Sequence, residues 1–283
     1  MTEPLPGLEA LAARFEVFLV DQFGVLLDGT AAYPFAPRAL SRLAAAGRRI
    51  VILSNSGKRA EPNAARLARF GFGHASFLTV MSSGEVAWRL LHAGRLPGIP
   101  RDARTLLLAR EDDRSPVEGL ALRPVAGAAE ADLVLLAGSR GDALTLEDYA
   151  TLLAPAANRG IPCLCTNPDM TMLTPAGPRF GAGRIAALYA ELGGPVTFVG
   201  KPHRPIYDAA LEHLGHPDPA RVVCIGDSPA HDVRGGRAVG LATALVQTGI
   251  HADLTPDALL AHCRAEGAEA DFLLPRFDFT DGG

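Results

Sequence analysis

Short, unbroken apolar runs alternate along this chain with longer segments whose apolar residues recur every three or four positions. The unbroken runs predict strands over 17–20, 49–53, 104–108, 133–137, 161–165, 196–199, 222–225, 242–246 and 272–274. The intervening period predicts helices over 37–46, 61–70, 83–92, 146–158, 183–192, 204–214, 232–239 and 255–262. Local signals agree with these limits. Gly47 and Gly71 fall just past two helix ends, Pro62 sits in a first turn where a missing N–H is harmless, and Thr145 is placed to cap. Strands that are apolar throughout, alternating with helices, predict a parallel sheet covered on both faces: an α/β, Rossmann-like, doubly wound core. No fixed-period repeat or low-complexity segment interrupts the pattern.

The pattern is less regular in its centre, where a polar stretch covers 111–116 and a Pro- and Gly-rich stretch covers 175–183. The centre reads as an inserted α/β domain over 82–180, with the core formed by 1–81 and 181–283 and 175–183 as the return linker. A chain of 283 residues can bury a core of that size and hold more than one compact unit. Its balance of 27 basic and 31 acidic residues, net −4, offers nothing to attract nucleic acid or a membrane surface. No apolar run reaches membrane-spanning length, and the N-terminal residues lack the basic start and apolar stretch of a signal peptide. Cys163, Cys165, Cys224 and Cys263 have no zinc-ligand spacing with the eight His. They read as buried, reduced thiols of a cytoplasmic protein.

Candidate chemistry collects where the predicted strands end. Asp21 terminates the first apolar run, and Gly24 lets the backbone turn three residues later. This places a carboxylate at the carboxyl edge of the sheet, where open α/β proteins bind ligands. Ser54-Asn55-Ser56 ends the next core run; such clusters mark turns, and at a strand end their hydroxyl, amide and N–H groups can hold phosphate oxygens. Lys201 lies between Gly200 and Pro202 after 196–199, a cation for a transferring phosphoryl group or a plain surface lysine. Asp227 and Asp232 bracket the turn after 222–225. They read either as oxygen ligands that with Asp21 suit Mg²⁺, or as a structural Asp and a helix N-cap.

Taken in order, these signals resemble the four motifs of the haloacid dehalogenase (HAD) superfamily. Ser54-Asn55-Ser56, Gly200-Lys201-Pro202 and Thr166-Asn167-Pro168-Asp169 narrow the resemblance to its class IIA phosphatases, which carry a C2-type cap in the position of the insertion. The resemblance implies an Mg²⁺-dependent phosphohydrolase for a small phosphorylated metabolite, sugar phosphate-like by default. Asp21 is then the nucleophile and a metal ligand, and the backbone carbonyl of Phe23 a second ligand. Ser54 and Asn55 hold phosphate and Lys201 neutralises it. Asp227 is a direct metal ligand, with Asp232 supporting the metal shell. Asn167 and Asp169 match the cap–core junction near the substrate, against a plain Asx turn with Pro168. Caps of this type often pair, which implies a homodimer.

One position departs from the family pattern. Where the first motif usually carries a second Asp that moves protons to and from the leaving group, this chain has Phe23. Help of that kind is worth roughly 10²–10⁴ in rate. Three readings follow: a slow phosphatase for leaving groups that need no proton, a borrowed acid among Asp28, His203 and Asp169, or a non-catalytic phosphate- and Mg²⁺-binding regulatory protein. The Rossmann-like core does not make a dinucleotide site, because no G-x-G-x-x-G follows the first strand.

Overall fold

The computed structural model describes residues 2–110, 113–174 and 177–280. They form two compact units: Met1–Ser54, Glu61–Met81 and Lys201–Gly283 make the first, and Asn55–Ala60 with Ser82–Gly200 the second.

In the first unit a seven-stranded sheet has the order Glu3–Pro4, Phe272–Leu274, Ala242–Val246, Val222–Gly226, Val17–Asp21, Arg49–Ser54, Thr79–Ser82. Every pair from the first of these to Arg49–Ser54 is parallel. The pleat explains the unbroken apolar runs. Phe18, Val20, Ile50, Ile52, Val223 and Ile225 point to one face and pack with Leu40 and Leu43 of the Ala36–Ala45 helix. Leu245 and Leu273 enter a separate cluster with Leu259 and Cys263 of the Pro256–Ala265 helix. Both faces are covered, so strands of the alternating polar–apolar kind would leave polar groups buried. The doubly wound α/β expectation is borne out.

The register sets the site. Asp21 pairs with Leu53, and Val20 with Ile225. Three adjacent strands therefore end level, and their carboxyl ends deliver Asp21, Ser54 and Asp227 to one edge.

The second unit has its own five-stranded parallel sheet, ordered Val196–Phe198, Cys163–Cys165, Leu133–Leu136, Arg104–Leu108, Arg123–Pro124. Two helices close its core. Leu146–Ala157 buries Tyr149 and Leu153, and Ala182–Glu191 buries Ile185, Ala186 and Tyr189. Thr145 caps the first through a reciprocal capping box with Asp148.

Here the expected boundary at 181 is overturned. Ala182–Glu191 buries its apolar face in the second unit, and Val196 pairs with Cys163, so the chain leaves that unit at Gly200. The Pro- and Gly-rich stretch is no linker: its Gly177–Phe180 strand pairs antiparallel with Thr171–Thr174. Residues 175 and 176 of that stretch, like 111 and 112 of the polar stretch, lie outside the described residues. Apolar patterning also missed elements that are short or polar, among them the Glu9–Arg14 helix and the edge strand Glu3–Pro4.

Candidate active site at the strand ends

Asp21, Lys201, Asp227 and Asp232 converge in the first unit, and each is at least nine-tenths buried. The ammonium of Lys201 lies 2.6 Å from Asp21 Oδ1 and 2.7 Å from Asp232 Oδ1. Asp21 Oδ1 also accepts the N–H of Gln22 at 2.7 Å. Asp232 Oδ2 accepts the N–H of Ser228 at 3.1 Å, and Asp227 Oδ2 that of Ile250 at 2.8 Å. Each Asp is thus oriented by backbone donors. Asp232 is not the helix cap considered above. Ser228 caps the single π-helical turn Pro229–Val233 that contains it, and the Arg234–Ala238 helix follows.

Two glycines make the packing feasible. Gly24 (φ 79°) and Gly249 (φ 76°) both adopt the left-handed conformation, and a Cβ on either would come within 2.0 Å of Asp227 Oδ2. The loop after Asp21 and the loop after Ala242–Val246 therefore close on one carboxylate. Residues 248–250 carried no expectation from the sequence. The signal was present in Thr248-Gly249, which follows a core strand as Ser54 and Asp227 do.

Three carboxylates against one ammonium leave a formal surplus of two negative charges. Burial pushes the Asp21 carboxyl well above the usual range, with Asp232 and Asp227 adding to the rise and Lys201 opposing it. Burial and Asp232 push Asp227 up to about 7. Burial lowers the pKa of Lys201, but Asp21 and Asp232 outweigh it and hold the side chain firmly protonated. One oxygen from each Asp lies within 4.8 Å of the others. An all-oxygen, buried donor set with two surplus negative charges fits a hard divalent cation.

Phe23 is 38% exposed, and the Arg66 guanidinium lies over its ring, 5.6 Å from the centroid. Asp28 is a poor stand-in for an acid: its Oδ1 accepts from Thr30 and Ala31, which lowers its pKa. His203 is half-buried, and burial with His231 nearby lowers its pKa. Ser54 is fully buried at its strand end.

The second unit brings together the remaining candidates. Asn55 Nδ2 donates to Asp169 Oδ1 at 2.7 Å, and Asn55 Oδ1 accepts from Ser83 Oγ at 3.5 Å. Asn167 Oδ1 accepts the N–H of Asp169 at 3.1 Å, the Asx turn that the sequence allowed. Asn167 is thus occupied in shaping the turn, and Asp169 is the residue that reaches Asn55.

The haloacid dehalogenase-like hydrolase family matches residues 18–123, and the HAD-hydrolase-like family matches 198–275. Human chronophin is 34% identical over 259 residues, covering 86% of this chain and 85% of that protein. Glycerol-3-phosphate phosphatase of Gallus gallus is 32% identical over 260 residues, covering 85% and 82%. A solved haloacid dehalogenase-like hydrolase from Brucella suis 1330 superposes with a TM-score of 0.81 at 28% identity, over 96% of this chain and 99% of that one. The chain belongs to the haloacid dehalogenase-like hydrolases, among their class IIA phosphatases. No helix among the described residues is long and apolar enough to cross a membrane.

Proposed function

We propose that this protein is an Mg²⁺-dependent phosphohydrolase that acts on a small phosphorylated substrate through an aspartyl-phosphate on Asp21. The observation that carries the reading is the buried cluster of Asp21, Asp227 and Asp232 around Lys201. Mg²⁺ would be held by Asp21, Asp227 and the Phe23 carbonyl, with Asp232 in support, and would supply charge neutralisation at the phosphoryl oxygens.

The chain's own groups then act as follows. Asp21 attacks phosphorus in line, and the bond to the leaving oxygen breaks with its electron pair. Lys201, the Ser54 hydroxyl and the Asn55 amide hold the phosphoryl oxygens, which is where most catalysis of phosphoryl transfer resides. Water then attacks the aspartyl-phosphate, inorganic phosphate departs, and the carboxylate is restored. Phe23 has no proton to give, so turnover is restricted to leaving groups that depart unprotonated. The glycerol-3-phosphate phosphatase relative supports a small phosphorylated substrate. The four buried cysteines, all free, support a cytoplasmic setting.

Phe23 also favours a second reading, a phosphate- and Mg²⁺-binding protein without turnover. Phosphate release from acetyl phosphate, 4-nitrophenyl phosphate and sugar phosphates separates the two. Under the hydrolase reading the activated compounds are cleaved only with Mg²⁺, Phe23→Asp extends cleavage to sugar phosphates, and Asp21→Asn abolishes release while phosphate still binds. Full activity in Asp21→Asn would end the nucleophile assignment. A wild type that is inert but binds phosphate establishes the binder.

A further inference from the structure

The first unit has a recess of about 220 Å³ at the amino ends of the Arg49–Ser54 and Thr79–Ser82 strands. Its walls include Ala44, Arg48, Ile50, Ser76, Phe77 and Leu78. The Leu78 N–H donates to the Ile50 carbonyl at 2.8 Å, which ties its two sides together. Asp21 is paired with Leu53, three residues further along the strand, so the recess lies roughly 10 Å from the sheet edge that carries the aspartates. The sequence gives this place an uncompensated positive charge. Segments 36–50 and 71–79 carry Arg38, Arg42, Arg48, Arg49 and His74 and no Asp or Glu, in a chain of net charge −4. Leu78 is 55% exposed there, an apolar side chain left in water beside a cation.

Arg48 is the residue that gives the recess a ligand. Its backbone N–H closes the Ala36–Ala45 helix by donating to the Leu43 carbonyl at 3.0 Å. Its side chain makes no hydrogen bond or ion pair among the described residues; Nε is buried, and the terminal nitrogens are not. The guanidinium is therefore held by packing, with its outer N–H groups free. Ser76 is buried, and its Oγ lies 3.0 Å from that of Ser41. Two hydroxyl protons serve that one contact, which leaves one to donate. We propose that this recess binds a small carboxylate with an apolar body of about one ring, paired through Arg48. A guanidinium offers a carboxylate two parallel N–H groups, and a guanidinium already fixed in place costs little to order. An exposed ion pair alone contributes little, so the apolar walls at Ile50, Phe77 and Leu78 must supply the rest by taking the ligand's body out of water. An apolar cavity of roughly 150 Å³ takes benzene, so a recess of about 220 Å³ holds one ring with its carboxylate. Inorganic phosphate would satisfy the charge and leave those walls wet. The site needs neither metal nor turnover, and it stands apart from the phosphatase reading.

The test is titration of the full chain in EDTA with phenylacetate, followed by the NMR shifts of backbone amides. Phenylacetamide, the uncharged counterpart, and inorganic phosphate are titrated beside it. Phenylacetate is expected to shift amides of 44–50 and 75–78 saturably at millimolar concentration, with phenylacetamide about tenfold weaker. Arg48→Met weakens phenylacetate about tenfold, and Arg48→Lys, which keeps the charge and loses the fork, weakens it less. Leu78→Ser, at an exposed position that the fold does not need, weakens it about threefold through lost apolar contact. The remainder of each spectrum reports whether a variant has kept its fold, and the phenylacetamide comparison needs no variant at all. No saturable shift at these amides, equal binding of acid and amide, or binding unmoved in folded Arg48→Met and Arg48→Lys overturns the proposal. Phosphate that binds there more tightly than phenylacetate overturns the ligand class, since charge alone would then define the site.

Discussion

Replacing Lys201 by Met tests whether the cluster is an electrostatic unit. The ammonium lies 2.6 Å from Asp21 and 2.7 Å from Asp232, and 2% of the residue is exposed. Methionine matches its length and removes its charge, leaving buried carboxylates without a protein cation. Removing one partner of a buried pair costs about 3–5 kcal/mol, because the other charge stays behind uncompensated. The cost depends on pH. Lys201 is the chief influence lowering the Asp21 pKa, so its loss pushes that carboxyl further above its unfolded value near 4. A folded pKa raised in this way means that the native state holds a proton the unfolded chain has released. Stability is then intact below about pH 4 and falls as pH rises through the folded pKa. The difference between wild type and Lys201→Met, measured by urea unfolding in EDTA, is therefore largest at pH 8 and shrinks by pH 5. A difference below about 1 kcal/mol at pH 8, or one larger at pH 5, would refute this account of the cluster.

Four other outcomes are expected. Asp227, held up to about 7, must lose a proton to bind a cation, so Mg²⁺ affinity rises between pH 6 and 8. Calorimetry in two buffers at pH 6 should detect proton release, and an affinity flat over that range contradicts the assignment of Asp227. The same shift makes the metal-free protein lose stability as pH rises from about 4 to 7. Gly249→Ala puts a Cβ 1.9 Å from Asp227 Oδ2 at a φ of 76°. It should weaken Mg²⁺ binding at least tenfold in the same calorimetry, roughly the 1.4 kcal/mol per decade expected from a displaced ligand; unchanged binding would mean the loop shifts freely. Gln22 is fully buried, and neither polar atom of its amide has a partner among the described residues. Gln22→Met should therefore raise stability by about 1–2 kcal/mol in urea unfolding, and a loss would show that the amide is satisfied by an internal water.

The parts of this structure that were legible in the sequence share a cause. A parallel strand buried on both faces must be apolar along its whole length, so 17–20, 49–53 and 222–225 announced themselves, and the polar residue ending each run had to lie at the sheet edge. That rule alone brings Asp21, Ser54 and Asp227 together. Lys201 and Asp232 stood out by their strand-end positions but kept plain structural readings beside the functional ones, and only the resemblance to a family gave them roles. The domain return was misread for a related reason. Proline and glycine report that the backbone turns, not which core it rejoins, and the Gly177–Phe180 strand of that stretch pairs inside the second unit. What decides membership is burial of side chains from distant segments, as when Tyr189 reaches the Ile161 carbonyl. The backbone donors to the site were hidden for the same reason. The N–H of Ile250 matters through its position beside Asp227, and its side chain, the part the sequence spells, has no hydrogen bond to offer. Where the side chain carries the chemistry, a sequence names it; where the backbone carries it, only the fold does. Ile250 shows the division within one residue, since its amide serves the carboxylate while its apolar side chain is exposed.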